Sequence, residues 1–232
     1  SVVVGCGDDD DGGGGDGGSA GGPKVGFVYV SPLEGAAWTQ SWDKARLALE
    51  EELGAETKYV EPIPETSEVV PAMENLIREG HEVIFATAFG YQPFVAQVAR
   101  QNPDVSFVVI GPWLEEQERP ENVASVYGNL WEVRYATGVL AGLMTESNEL
   151  GFVSAFSIPS VVAGINGFQQ GVRSVNPNAK TRVVLTNSWY DPPRASQAAE
   201  SLAARGVDIV AKHEDSIGPC LGAETAGIKC IG

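Results

Sequence analysis

Histidine, cysteine and basic residues are scarce in this chain. Its 232 residues include two histidines and three cysteines. No His/Cys cluster has the spacing of a metal site, so no bound metal is expected. Lysine and arginine total 15 against 31 aspartates and glutamates, a net charge of −16. Five aspartates among the first sixteen residues account for part of that, and the remainder of the chain is acidic too. Such a surface repels phosphate backbones and argues against a nucleic-acid partner. No apolar stretch is long enough to cross a bilayer. The glycine-rich loops of nucleotide chemistry are missing as well. No G-x-G-x-x-G follows the first strand, no Walker-type loop occurs, and no G-x-S-x-G elbow follows a strand. The reading is therefore of no cofactor and no enzymatic activity. What remains is an ordinary hydrophobic fraction of 43%, in a chain long enough for one large domain or two small lobes.

The first 22 residues stand apart. Residues 7–22 are aspartate, glycine and serine with one alanine. They cannot bury enough apolar surface to offset the entropy of ordering, so 1–22 reads as a lipobox remnant followed by a flexible, self-repelling Asp/Gly linker over 7–22. Val3-Val4-Gly5-Cys6 precedes that run. Aliphatic and small residues leading into a cysteine resemble the lipobox of a bacterial lipoprotein signal peptide, whose cysteine becomes the lipid-bearing N-terminus. Cys6 is thus the expected lipidation site. The absence of an initiator methionine and the ending "GIKCIG", which reads as a strand in mid-course, suggest a fragment of a longer precursor that lacks its C-terminal part.

From Lys24 the chain alternates strand and helix. "KVGFVYV" reads as a strand. Trp38, Trp42, Ala45, Leu49 and Leu53 then recur at helical spacing, and Gly54 stops that helix. "TKYVEPI", "EVIFATA", "VSFVVIG" and "VASVYGN" are further strands. Val69 to Ile77 and Phe94 to Ala99 mark two helices among them. A long helix over 130–144 carries Gly138 and Gly142. The pattern then restarts with strands "LGFVSAF", "TRVVLTN", "VDIVAKH" and "GIKCIG", and with helices around 161–172 and 193–205. Such alternation predicts parallel sheets covered on both faces. The expected organisation is an N-terminal α/β lobe over 23–129, a connecting helix over 130–147 and a second, incomplete α/β lobe over 148–232.

In open α/β sheets ligands bind beyond the carboxyl ends of the strands. The loops there are "SPLEGAAW", "TAFGYQP" and "GPW" in the first lobe, and "AFSIP", "NSWYDPP" and "KHEDSIGP" in the second. Nearly every one holds an aromatic: Trp38, Phe89, Tyr91, Trp113, Phe156, Trp189 or Tyr190. If the lobes face each other, these rings line a cleft suited to a flat ligand. Asn187, Asp191, His213, Glu214, Asp215 and Ser216 can read its polar edge. Asp191, just before Pro192, equally suits a helix cap. Trp42, on an apolar helix face, reads as core. Cys220 and Cys230 either bridge in an oxidising compartment or are two buried thiols.

Several segments, in order, resemble one family across residues 24–232. They are "KVGFVYVSPLEGAAWTQSWDKAR", "IFATAFGYQPFVAQVARQNPDVSFVV", "EVRYATGVLAGLMT", "GINGFQQGVRSVNPNA", "NSWYDPPRASQAAESLAARGVDIVAKHEDS" and "AGIKCIG". They are similar to successive parts of the basic membrane protein family, PnrA-like lipoproteins that serve as substrate-binding components of ABC importers. The resemblance implies the type I periplasmic-binding-protein fold, two doubly wound α/β lobes joined by a hinge. It also implies a purine nucleoside or purine base as ligand, an ABC permease as partner and a monomer lipid-anchored on the outer face of a bacterial cell membrane. By position, Trp38 and Phe89 would contact the base, Trp189 would stack on it, and His213, Asp215 and Ser216 would supply polar contacts. A ligand-sensing receptor module with the same lobes is the alternative reading, and a nucleoside-processing enzyme a remoter one.

Overall fold

The computed structural model describes residues 22–113 and 118–232, so Cys6 and most of the opening linker lie outside the described residues. Two parallel sheets form. The first contains β1 (Lys24–Val28), β2 (Glu56–Val60), β3 (Val83–Ala86), β4 (Ser106–Ile110) and β5 (Val123–Val126), in the order β2-β1-β3-β4-β5. The second contains β6 (Glu149–Ser154), β7 (Lys180–Leu185), β8 (Ile209–His213) and β9 (Lys229–Ile231), in the order β7-β6-β8-β9. Every strand pair is parallel. The central strands are apolar almost without interruption because both of their faces are covered. In β1, Val25, Phe27 and Val28 are all buried.

Helices supply the cover. In the first lobe these are α1 (Ala37–Leu53), α2 (Val69–Arg78) and α3 (Gln92–Gln101). In the second they are α5 (Pro159–Val175), α6 (Pro192–Ala203) and α7 (Gly218–Thr225), and α4 (Leu130–Met144) leads from one sheet to the other. Met73, Leu76, Val95 and Phe107 build the core on one side of the first sheet, and Phe27 packs with the half-buried Trp42 and Leu49 on the other. The second sheet likewise has Phe152, Phe168 and Val172 on one face and Val153, Leu202 and Val210 on the other. Trp42 is thus a core residue of α1. Gly54 ends that helix in the left-handed region (φ 62°), its N–H turned back to the Glu50 carbonyl, a conformation that costs glycine least.

One helix escapes the sequence pattern. α7 occupies "GPCLGAET", of which only Gly218 and Pro219 fall in a segment read above, the end of the loop after β8. Its two glycines suggest a break, yet their role is packing. A Cβ on Gly218 would lie 2.4 Å from the Pro192 carbonyl oxygen, and one on Gly222 would lie 2.2 Å from that of Ser196. The bare backbone lets α7 sit directly on α6. α7 also carries Cys220, which is disulfide-bonded to Cys230 of β9. That resolves the open choice in favour of a bridge, tying α7 to the edge strand.

Candidate functional site

The order of each sheet reverses once, between β1 and β3 in the first and between β6 and β8 in the second. At such a point neighbouring loops diverge and leave a crevice beyond the strand ends. The two crevices share one cavity of about 270 Å³. The wall includes Trp38 and Phe89 from the first lobe and Trp189, His213 and Asp215 from the second.

The two indoles are held by hydrogen bonds. Trp38 is the second residue of α1, and its indole N–H donates to the Thr87 carbonyl after β3 at 2.7 Å. Its ring meets Trp42 edge-on at 5.6 Å. The Trp189 indole N–H donates to Glu65 Oε2 at 2.7 Å across the cleft. The other Glu65 oxygen accepts the Gly90 N–H at 2.7 Å. Phe156 packs edge-on behind Trp189 at 5.2 Å.

The loop after β8 supplies most of the charge. Asp215 is buried. Its Oδ1 accepts the Trp38 N–H at 3.1 Å, its carbonyl accepts that of Ala37 at 3.1 Å, and its own N–H donates to the Trp189 carbonyl at 2.7 Å. Burial pushes its carboxyl above the usual aspartate range, opposed by Ser31 and the Trp38 N–H. Glu214 is raised in the same way by burial, and its two oxygens hold the N–H and hydroxyl of Ser216. Lys212 donates to the Glu214 carbonyl at 3.1 Å, and burial lowers its ammonium. Arg134 of α4 reaches the same wall, lowered by burial as well.

His213 sits beside both cations. Burial, then Arg134 and Lys212, push its imidazole down to about 4. It is therefore neutral across the physiological range, able to donate from one nitrogen and accept at the other. The sign of the linked pH effect follows. The unfolded state takes up a proton near the ordinary value of 6.5, while the folded protein resists until about 4. This group's contribution to stability is intact above pH 6.5 and falls as pH drops from there toward 4. Relative to His213→Gln, the wild type is expected to lose about 2–3 kcal/mol over that window at about 1.4 kcal/mol per unit. Urea midpoints of the two proteins at pH 7 and pH 4.5 measure the difference.

Half of the expected ligand residues are placed away from the wall. Tyr91 is fully buried in the first-lobe core, with its hydroxyl donating to the Ile63 carbonyl. Phe156 stands behind Trp189. Asn187 adopts a left-handed backbone (φ 54°) in a turn whose N–H bonds the Ala155 carbonyl. Asp191 caps α6, accepting the Arg194 N–H at 3.1 Å. Ser216 is buried, its hydroxyl shared between Glu214 and the Gly218 N–H. Conversely Glu65, Tyr127, Arg134, Ser160 and Lys212 line the cavity without having been singled out in the sequence. Lone charges on helices and loops read as solvated, and no local pattern marks them otherwise. Among the described residues no group of His, Cys, Asp or Glu is placed to hold a metal ion.

The cavity thus has aromatic rings on both lobes, donors in Arg134 and Lys212, acceptors in Glu65 and Asp215, and a neutral imidazole. It suits a flat or ring-shaped ligand with hydrogen-bonding groups on its edge.

Known proteins share this sequence pattern and this fold. A family model described as ABC transporter substrate-binding protein PnrA-like matches residues 23–232. A purine-binding protein of Brucella abortus is 36% identical over 211 residues, covering 90% of this chain and 59% of its own. A Haloferax volcanii protein, provisionally named as an ABC transporter glucose-binding protein, is 37% identical over 220 residues, covering 91% of this chain and 55% of its own. The chain therefore spans a little over half the length of these relatives. Among solved structures, a solute-binding protein of an ABC transporter system from Conexibacter woesei superposes with a TM-score of 0.71 at 21% identity, covering 90% of this chain and 70% of that one. This likeness establishes the periplasmic-binding-protein-like α/β fold with its parallel sheets.

Proposed function

This chain belongs to the PnrA-like family of ABC transporter substrate-binding proteins, and on that premise we propose that it captures a purine base or nucleoside between its lobes for import. The observation that carries the reading is the pair of indoles, Trp38 and Trp189. They come from opposite lobes, each is fixed by its own N–H hydrogen bond, and both line one cavity. Base–aromatic stacking is worth about 1–3 kcal/mol per base, and the polar groups beside the rings match the donors and acceptors of a purine edge. The Brucella relative named for purine binding supports the same ligand class.

In this reading the protein is a carrier and not an enzyme. It works outside the cytoplasm, tethered by a lipid on Cys6 through the Asp/Gly linker, and hands its ligand to an ABC permease. The Cys220–Cys230 disulfide favours an oxidising compartment of that kind.

A sugar is the second reading, favoured by the Haloferax relative named for glucose. Carboxylates beside aromatic rings also suit a pyranose. Titration calorimetry with adenine, hypoxanthine, adenosine, guanosine and glucose separates the two. Micromolar or tighter binding of a purine, undisturbed by excess glucose, is the expected result. Glucose binding with no purine binding would overturn it.

A further inference from the structure

Several hydrogen bonds join the two lobes; Tyr190 donates to the Glu34 carbonyl at 3.4 Å, and two further sets involve the two cavity tryptophans. α1 starts without a cap of its own: Ala36 offers no side-chain acceptor, and the first turn holds no acid. Its leading N–H groups, those of Ala37 and Trp38, are taken instead by the carbonyl and Oδ1 of Asp215 from the other lobe. A carboxylate there satisfies unpaired donors and complements the positive end of the helix dipole. The reverse contact runs from the first lobe. Glu65, in the loop after β2, keeps one oxygen on the Gly90 N–H of its own lobe and gives the other to the indole N–H of Trp189. The Asp215 N–H in turn donates to the Trp189 carbonyl, which links the two contacts within the second lobe. Each lobe thus lends a carboxylate to the other, and each carboxylate engages a cavity tryptophan.

We propose that Glu65 and Asp215 are positioning residues that clasp the lobes together and, by doing so, set Trp189 and Trp38 against the ligand. The proposal rests on the reading of the cavity as the purine site. Ligand enters and leaves while the lobes are apart, so the clasp slows both steps. Hydrogen bonds to charged groups are worth about 1.5–3 kcal/mol. Losing one contact therefore raises the dissociation rate about tenfold or more by the same principle, and does not slow association.

The test is stopped-flow binding of adenine and adenosine to wild type, Glu65→Gln, Glu65→Ala and Asp215→Ala, with small-angle scattering of each ligand-free protein. Glu65→Gln keeps one accepting oxygen and falls between wild type and Glu65→Ala. Trp189→Phe keeps a ring but cannot donate to Glu65. In that background Glu65→Ala is expected to add little to the dissociation rate, a coupling that general destabilisation does not produce. The proposal is overturned if Glu65→Ala accelerates dissociation equally in both backgrounds or leaves it unchanged. Scattering judges the clasp without ligand: Glu65→Ala and Asp215→Ala are expected to enlarge the radius of gyration, and unchanged profiles would count against it. Should wild type bind no purine while the variants still expand, the ligand reading fails and the clasp stands.

Discussion

Trp189→Ala is expected to weaken purine binding about 30-fold or more, the cost of losing an aromatic hot spot worth at least about 2 kcal/mol. The residue gives the cavity its second-lobe indole, and that ring is held from both sides: Glu65 fixes its N–H and Phe156 packs against it. Truncation removes the stacking surface and leaves the Glu65 oxygen without its cross-lobe donor. Trp189 is only half-buried, so the unfolding midpoint is expected to move little. Trp38 is a poorer choice for this measurement, because it also bonds Thr87 and packs on Trp42, so its loss would mix binding with stability. Calorimetry with adenine and hypoxanthine reads the effect directly. Affinity within twofold of wild type would show that Trp189 is no part of the binding surface.

Gly138→Val and Gly171→Val, made singly, are expected to destabilise the second lobe by a large fraction of its folding free energy. A Cβ on Gly138 would stand 2.0 Å from the Phe168 carbonyl oxygen, and one on Gly171 would stand 2.1 Å from that of Tyr135. Gly167 is similarly close to the Trp131 carbonyl, at 2.5 Å, and Gly142 to that of Val172, at 2.9 Å. α4 and α5 therefore touch backbone to backbone. A glycine inside a helix costs about 1 kcal/mol relative to alanine, and here close packing offsets that cost. A valine must push the helices apart, an effect of about 4 kcal/mol or more against a typical total stability of about 5–15 kcal/mol. The two helices also carry Leu130, Arg134, Ser160 and Val161 to the cavity, so any surviving protein would bind weakly. Gly128→Ala is the contrast. It has open space around its Cβ position and no left-handed backbone, and its unfolding midpoint should match wild type. Soluble yield and urea midpoints of the three variants decide the matter, and a cooperative, near-wild-type transition for Gly138→Val would refute the packing account.

The same glycines mark how far a sequence can be read. Within 130–144 the helical pattern is strong enough to carry Gly138 and Gly142, and α4 forms there. Across "GPCLGAET" the stretch is short and interrupted by two glycines, and no helical period marks α7. In both places glycine serves close helix contact, which depends on a partner elsewhere in the chain. Phe89 and Tyr91 show the same limit at the site. They sit two residues apart in one loop and are equally aromatic, yet Phe89 lines the cavity while Tyr91 is fully buried in the core.

The amino-acid sequence alone determined the alternation of strands and helices, the parallel sheets and the loops that lie beyond the strand ends. These follow from local periodicity, in which each residue's environment is set by neighbours a few positions away. The family was legible because its segments recur in order along the chain. Only the tertiary structure decided which residues of those loops meet. Asp191 caps α6, and the buried Ser216 donates to Glu214. Glu65 and Arg134, isolated charges without a pattern, came to the cavity wall through a loop after an edge strand and a helix between the sheets. The physical reason is that a cavity is bounded by elements far apart in the chain, and their meeting depends on crossovers and lobe docking that no local spacing records.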